Sequence, residues 1–390
     1  MSPRTYLLAA GAFTVGTSGY IISGVLPQVS RELQVSSSAA GQLVTAFAIA
    51  YAIASPLLAA ATGTWERKRL LVVALLVSAL GNALSAVAPS YELLLGARVL
   101  SALGAAVFTP VATTMATVIN PPDHRGRAVA IVFGGLTFAL IIGVPAGSLL
   151  GGPIGYQGVF ALVAGVTLLA AAAAALWLPT LPAPPVVGLR ERFSVLADPR
   201  VRMVLGMTVL GCLSAFSVFT YISTLLARTA DLHGTAISVL LLVYGVGGAL
   251  GNALGGRVTD RYGSRGPLKV VWIVYAVVLA TLPFTAVTWP TAAVALFFWG
   301  MLTWSVNPPI QNWLIELAPT TTGLLLSVNA SAIYLGVGLS GVVGGVVIDS
   351  LGILALPPIA AAVASLSFVL LILAGRPAAP AEPVLARANG

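Results

Sequence analysis

Gly251 to Lys269 reads Gly-Asn-Ala-Leu-Gly-Gly-Arg-Val-Thr-Asp-Arg-Tyr-Gly-Ser-Arg-Gly-Pro-Leu-Lys between two long apolar runs, which makes it a short charged hairpin joining two membrane spans. Its residues have separable physical uses. Gly256 lets two helices approach, Gly263 permits a tight turn that a Cβ would resist, and Asp260 can face the positive N-terminus of a neighbouring helix. Arg261 and Arg265 hold the loop on the cytoplasmic side. The plainer alternative is a solvated loop whose charges only set topology, and for Arg265 and Lys269 it is the preferred reading.

Working outward, the composition requires such spans. The 390 residues are 58% hydrophobic and 8% charged, with a mean hydropathy of +1.00, whereas soluble domains carry about a quarter charged residues. The runs lack the period-2 alternation of membrane strands and are rich in Ala, Leu, Val and Gly, so they are helices of about 20 residues or more. Spans are predicted at 6-27, 39-61, 70-88, 93-119, 128-150, 158-178, 203-226, 235-256, 269-288, 291-315, 322-348 and 354-374. The fold class is an all-α membrane protein, with twelve transmembrane helices.

The net charge of +8 could suggest a nucleic-acid partner, but the bases sit in alternate loops. With a cytoplasmic N-terminus, only Arg31 and Arg228 fall outside and only Arg98 lies within a span. The positive-inside rule then puts both termini in the cytoplasm, and basicity reflects topology rather than nucleic-acid binding. The first apolar run ends at Pro27-Gln28 without a small-x-small cleavage pattern, so it is span 1 rather than a removed signal. The single cysteine, Cys212, lies in span 7 and allows no intramolecular disulfide or Cys-based metal site, while His124 and His233 are isolated in loops. No metal and no cofactor are expected.

The chain repeats itself. Ala12-Phe-Thr-Val15 has a counterpart in Ala215-Phe-Ser-Val218, and Gly143-Val144 followed by Gly151-Gly152 has one in Gly336-Val337 followed by Gly344-Gly345. Two pseudo-symmetric halves follow, 1-178 and 203-375, joined by a proline-rich cytoplasmic linker at 179-202 and followed by a disordered tail at 376-390.

The pattern Gly256-x-x-x-Asp260-Arg261-x-Gly263-x-Arg265 resembles the loop signature of the major facilitator superfamily, short of one terminal basic residue. A worn first-half copy runs from Ala59 to Arg67-Lys68, with Gly63 at the acid position and Glu66 displaced, so the acid's role is not carried to Glu66. Arg98-Val-Leu-Ser-Ala102-Leu-Gly104 is similar to the family's span-4 motif, with Ala102 in place of its first glycine. Gly134 to Gly143-Val144-Pro145-Ala-Gly147 resembles the glycine and proline motif of superfamily antiporters, with Val-Pro for the usual Gly-Pro; simple small-residue helix packing explains it equally well. Gly16-Thr-Ser-Gly-Tyr20, Phe133-Gly-Gly-Leu-Thr-Phe138 and Thr220-Tyr-Ile222 look like the bacterial twelve-span efflux branch of sugar and arabinose exporters and chloramphenicol-resistance permeases. The resemblance implies two six-helix halves that rock about a substrate site near the midplane.

Within that frame, the candidate cavity residues are Thr17, Tyr20, Arg98, Thr109, Thr113, Tyr221, Trp304, Asn307 and Gln311. Arg98 is weighed as facing the cavity, because a charge within a span is functional by default, against snorkelling from its place near the span's start. Ser214, Ser217, Tyr221 and Thr224 form one polar stripe on span 7. Gating is assigned to Gly256, Asp260, Arg261, Gly263, Arg265, Arg127, Gly143, Pro145 and Gly147, with Asp260 meeting the start of span 5 near Arg127 when the cytoplasmic side is closed.

The resembled relatives carry an acid after Thr-Ser, where this chain has Gly19, and no other Asp or Glu lies near a span centre. A neutral or anionic substrate is therefore expected over a cation, with proton coupling left open. The expected function is secondary active export of a small organic molecule, a drug, sugar or related metabolite, from a monomer in the inner (plasma) membrane. The alternatives are an uncoupled facilitator or importer of a neutral or anionic solute, and a non-transporting receptor or structural protein. An enzyme is not expected, since no paired intramembrane acids, metal ligands or nucleophile-base pair are seen.

Overall fold

The structure is a computed structural model and describes residues 1–121, 124–182, 195–317 and 322–374. Most of the predicted linker and the tail at 376–390 lie outside the described residues. Among the described residues, eleven helices are long and apolar enough to cross a membrane. One of them, Arg127–Trp177, has 51 residues, a length of about 77 Å at 1.5 Å per residue, against a hydrocarbon core of about 30 Å. It breaks at Gly155 (φ 67, ψ 172), a conformation reserved for glycine, and so holds spans 5 and 6, giving twelve in all.

The other spans are Arg4–Glu32, Ser37–Ala61, Arg67–Ala86 and Tyr91–Val118 in the first half, and Pro199–Ala230, Thr235–Tyr262, Arg265–Thr285, Trp289–Leu317, Thr322–Leu351 and Leu356–Ala374 in the second. Span 7 is interrupted at Tyr221 and span 10 at Val306, one residue before the helix carrying Pro308 and Pro309. Large apolar side chains such as Leu169, Leu176, Val270 and Phe284 face outward, the reverse of a soluble protein.

Packing repeats with the sequence. Spans 1 and 5, 2 and 4, and 3 and 4 are neighbours in the first half, as are 7 and 11, 8 and 10, and 9 and 10 in the second. Close approach depends on glycine. A Cβ on Gly247, Gly251 or Gly255 of span 8 would strike the carbonyls of Phe297, Met301 or Ser305 on span 10. Gly256, read above as the contact residue, faces open space, so the approach belongs to its neighbour Gly255 one position round the helix.

Span 5 carries a π turn at Ala139–Gly143, where the Val144 amide donates to the Ala139 carbonyl. Pro145 cannot donate an amide hydrogen to the carbonyl four residues back, which favours this wider turn. Span 1 packs on one side of it, at Thr17 against Gly143, and span 8 on the other, at Gly245 against Ile141.

At the end bearing the N-terminus, Glu66 caps span 3. Its carboxylate accepts from the amides of Lys68 and Arg69 at 2.8 Å and of Leu181, beyond span 6, at 2.9 Å. Partial burial acts to raise its pKa, but these hydrogen bonds outweigh it and the pKa is lowered. A depressed folded pKa means that the stabilisation is present above the free glutamate value of about 4.3 and is lost as pH falls through the lower folded one. Glu66→Gln is therefore expected to cost about 0.5–1 kcal/mol near neutral pH, the low end for cap loss at a partly exposed site, and thermal melts of variant and wild type should converge on acidification.

Candidate functional site

A cavity of about 70 Å³ opens near the middle of the second half. Spans 7, 9, 10 and 11 provide Thr208, Cys212, Phe216, Trp272, Tyr275, Trp304, Asn307 and Ile333, while Tyr20 closes it from span 1 and stacks on Phe216 with ring centroids 5.7 Å apart. Among the described residues, no charged side chain lines it. The break of span 10 at Val306 brings Asn307 to the wall, and discontinuous spans of this kind supply polar groups to membrane binding sites. The buried indole N–H of Trp272 has no acceptor. Such a lining offers aromatic faces with a few neutral donors and acceptors, suited to an uncharged organic ligand.

Of the nine residues proposed from sequence, three line this cavity: Tyr20, Trp304 and Asn307. Gln311 stands one turn further on and donates to Asn307 Oδ1 at 3.0 Å, fixing its orientation. Thr17 is buried where span 1 crosses Gly143, and the Thr113 hydroxyl donates to the Thr109 carbonyl at 2.8 Å; none of these threonines reaches the cavity.

Tyr221 is fully buried at the break of span 7, where its hydroxyl donates to the carbonyls of Gly341 at 3.1 Å and Ser38 at 3.4 Å. It belongs to a seal between the halves at the end away from the N-terminus. There Gln42 Nε2 donates to the Gly341 carbonyl at 3.0 Å, and Ser238 Oγ of span 8 to Ser148 Oγ of span 5 at 3.0 Å. Two further residues of the span-7 stripe also face helices: Ser214 donates to the Ala360 carbonyl of span 12, and Ser217 to the Leu213 carbonyl and, at 3.5 Å, to that of Ser340 on span 11. Towards the middle, Tyr51 of span 2 stacks on Tyr334 of span 11 at 3.5 Å.

Arg98 does not reach the cavity either. It is fully buried within the first half, its Nη2 donating to the Ser18 carbonyl at 2.6 Å. Its spacing put it on a face of small residues, but that face turns into the packing of spans 1, 2 and 6.

The hairpin after span 8 turns at Gly263 (φ 72), whose amide donates to the Thr259 carbonyl at 2.8 Å. Arg265, read as a plain solvated charge, lies over the Trp313 ring at 5.0 Å, and Asn312 Nδ2 donates to Ser264 Oγ at 2.9 Å, tying the hairpin to the end of span 10. Asp260 and Arg127 are exposed, and neither makes a hydrogen bond or ion pair among the described residues.

The sequence reading missed Trp272, Tyr275 and Thr208. A signal existed: Trp272 and Tyr275 stand three apart well inside span 9, away from the interface where membrane tryptophans gather.

Two repeated six-helix halves that seal against each other at one end and hold an uncharged cavity at mid-depth define a multi-pass membrane transporter of small molecules. The chain belongs to the Major Facilitator Superfamily, whose family model matches residues 8–336 and 207–389. It is 34% identical to the inner membrane transport protein YdhP of Escherichia coli over 95% of both chains. It is 33% identical to a chloramphenicol resistance protein of Streptomyces lividans over 84% of this chain and 86% of that one, and 27% identical to the putative transporter AraJ of Escherichia coli over 98% of both.

Proposed function

We propose that the protein exports an uncharged, partly aromatic organic molecule across the inner membrane by alternating access, as a monomer with both termini in the cytoplasm. The observation that carries this reading is the cavity's lining: aromatic rings, hydroxyls and one amide, with no ionised group among the described residues. The relative named for chloramphenicol resistance supports export over uptake. On the proposed topology, the seal around Tyr221 closes the external side and the conformation faces the cytoplasm.

The test is a ligand panel of phenicols, nucleosides, sugars and organic cations read by thermal stabilisation of the purified chain. A ligand present at 100 times its Kd adds about 2.7 kcal/mol to the folded state. Uncharged aromatic compounds are expected to raise the melting point and organic cations are not; stabilisation by cations alone would overturn the proposal.

Asp260 is proposed to engage the start of span 5 near Arg127 when the cytoplasmic side closes, a contact with charge-dipole character worth about 0.3 to 1 kcal/mol when exposed. Asp260→Asn should then raise the inward-open population, seen as a shift in spin-label distances across that face. An unchanged distribution would reduce Asp260 to a solvated charge.

Uncoupled facilitation is the second reading. It is favoured by the placement of the described carboxylates, all of them exposed except Glu66, which is half-buried in the loop before span 3.

A further inference from the structure

Arg98 carries a charge into the interior of the first half without a counter-ion among the described residues. Its guanidinium is held by neutral groups only. Nη2 donates to the Ser18 carbonyl at 2.6 Å and reaches the Gly19 carbonyl at 3.5 Å, and Nη1 reaches Ser18 Oγ at 3.4 Å. The rings of Phe47 and Phe160 lie at 4.6 and 5.5 Å from its central carbon, a cation–π sandwich. Ser18 Oγ is held in turn by Asn82 Oδ1 at 2.9 Å and Ser101 Oγ at 2.8 Å.

Gly19 makes this arrangement possible. A Cβ at that position would come within 3.2 Å of Phe47 Cε1, so any side chain there would press on the ring that covers Arg98. Spans 1, 2, 3, 4 and 6 thus surround the guanidinium with aromatic rings, hydroxyls, an amide and carbonyls, and none of these can take up or release a proton to cancel the charge.

Gly19 is also the residue before Tyr20, whose ring closes the cavity. The guanidinium reaches the Gly19 carbonyl at 3.5 Å, one residue from Tyr20, which puts it on the order of 10 Å from the cavity interior by backbone and side-chain dimensions. We infer that Arg98 is a specificity-determining residue: a permanent positive charge, out of contact with the ligand, that repels cations from the cavity. At that distance and an effective dielectric constant of about 20, it would weaken binding of a monocation roughly tenfold relative to an uncharged ligand of the same shape. The inference rests on the cavity being the ligand site.

The test uses two probes with one ring system, 7-methoxycoumarin and a coumarin bearing a trimethylammonium group. Binding to the purified full chain is followed by quenching of tryptophan fluorescence, since Trp272 and Trp304 line the cavity. Arg98→Gln and Arg98→Met are expected to strengthen binding of the cationic probe roughly tenfold and to leave the neutral one within about twofold. Arg98→Lys keeps the charge and should keep the discrimination.

Because loss of the guanidinium can disturb packing, a second route places a carboxylate beside it: the double variant Gly19→Asp, Phe47→Ala should also admit the cation while retaining Arg98. Equal shifts for both probes, or unchanged cation binding in the variants, would overturn the role of Arg98 alone. If the neutral probe does not quench wild-type fluorescence, the cavity reading fails and the inference falls with it.

Discussion

Gly341→Leu is expected to stop transport by preventing the two halves from closing around Tyr221. Even the first carbon of a side chain at this position would collide with Thr45 Oγ1 and crowd the Gly41 carbonyl at 2.9 Å. Both partners are on span 2, which Gln42 ties to the Gly341 carbonyl, while Tyr221 of span 7 donates to the same oxygen from the other side. Overpacking of this kind costs about 1–3 kcal/mol, and since the cost applies only where spans 2 and 11 meet, it falls on one conformation. The closed population should drop by roughly 5- to 150-fold. Labels on the ends of spans 2 and 11 near Ser38 and Gly345 would report longer distances, with expression retained. Wild-type distances and flux in the variant would show that the seal does not move during transport.

The second large effect concerns the aromatic cavity. Trp304→Ala removes a ring from the wall, and truncation of a buried aromatic anchor costs about 2–4 kcal/mol of binding, so the apparent KM should rise by 30-fold or more. Trp272→Phe separates two roles of the same side chain. Its N–H is buried with no protein acceptor among the described residues, and a buried donor left unpaired costs about 1–3 kcal/mol. Replacing indole by phenyl should therefore raise the melting point of the unliganded chain while weakening ligands that carry a hydrogen-bond acceptor about tenfold. Ligands lacking an acceptor should lose little. A variant that melts lower and binds all ligands equally well would remove Trp272 from the site.

The fold was legible because membrane spans announce themselves by length and charge. Ser37–Ala61 and Thr235–Tyr262 begin within two residues of the spans read from hydropathy, and the repeated dipeptides correspond to repeated helix neighbours. The site was legible only in part, and the misses share a cause. On a helix, spacing shows which residues share a face but not what the face meets. Arg98 and Tyr221 do share faces with small or polar residues, and those faces meet other helices rather than the cavity. Trp272 was passed over because an aromatic in an apolar run reads as packing, and its missing acceptor exists only once span 9 is set against its neighbours. Gly255 and Gly256 are adjacent in the chain, and only the helical phase relative to span 10 decides which one a Cβ would obstruct.

The seal around Tyr221 is made of a phenol, an amide, hydroxyls and main-chain carbonyls, and no ionised side chain enters its hydrogen bonds. Salt and protons therefore reach it only indirectly, through the Asp349 carboxylate that acts electrostatically on the Tyr221 hydroxyl. A latch of ion pairs would loosen in brine and a carboxylate latch would release in acid. This one should respond to either far more weakly, so that the closed end of the bundle stays shut across a wide range of surroundings.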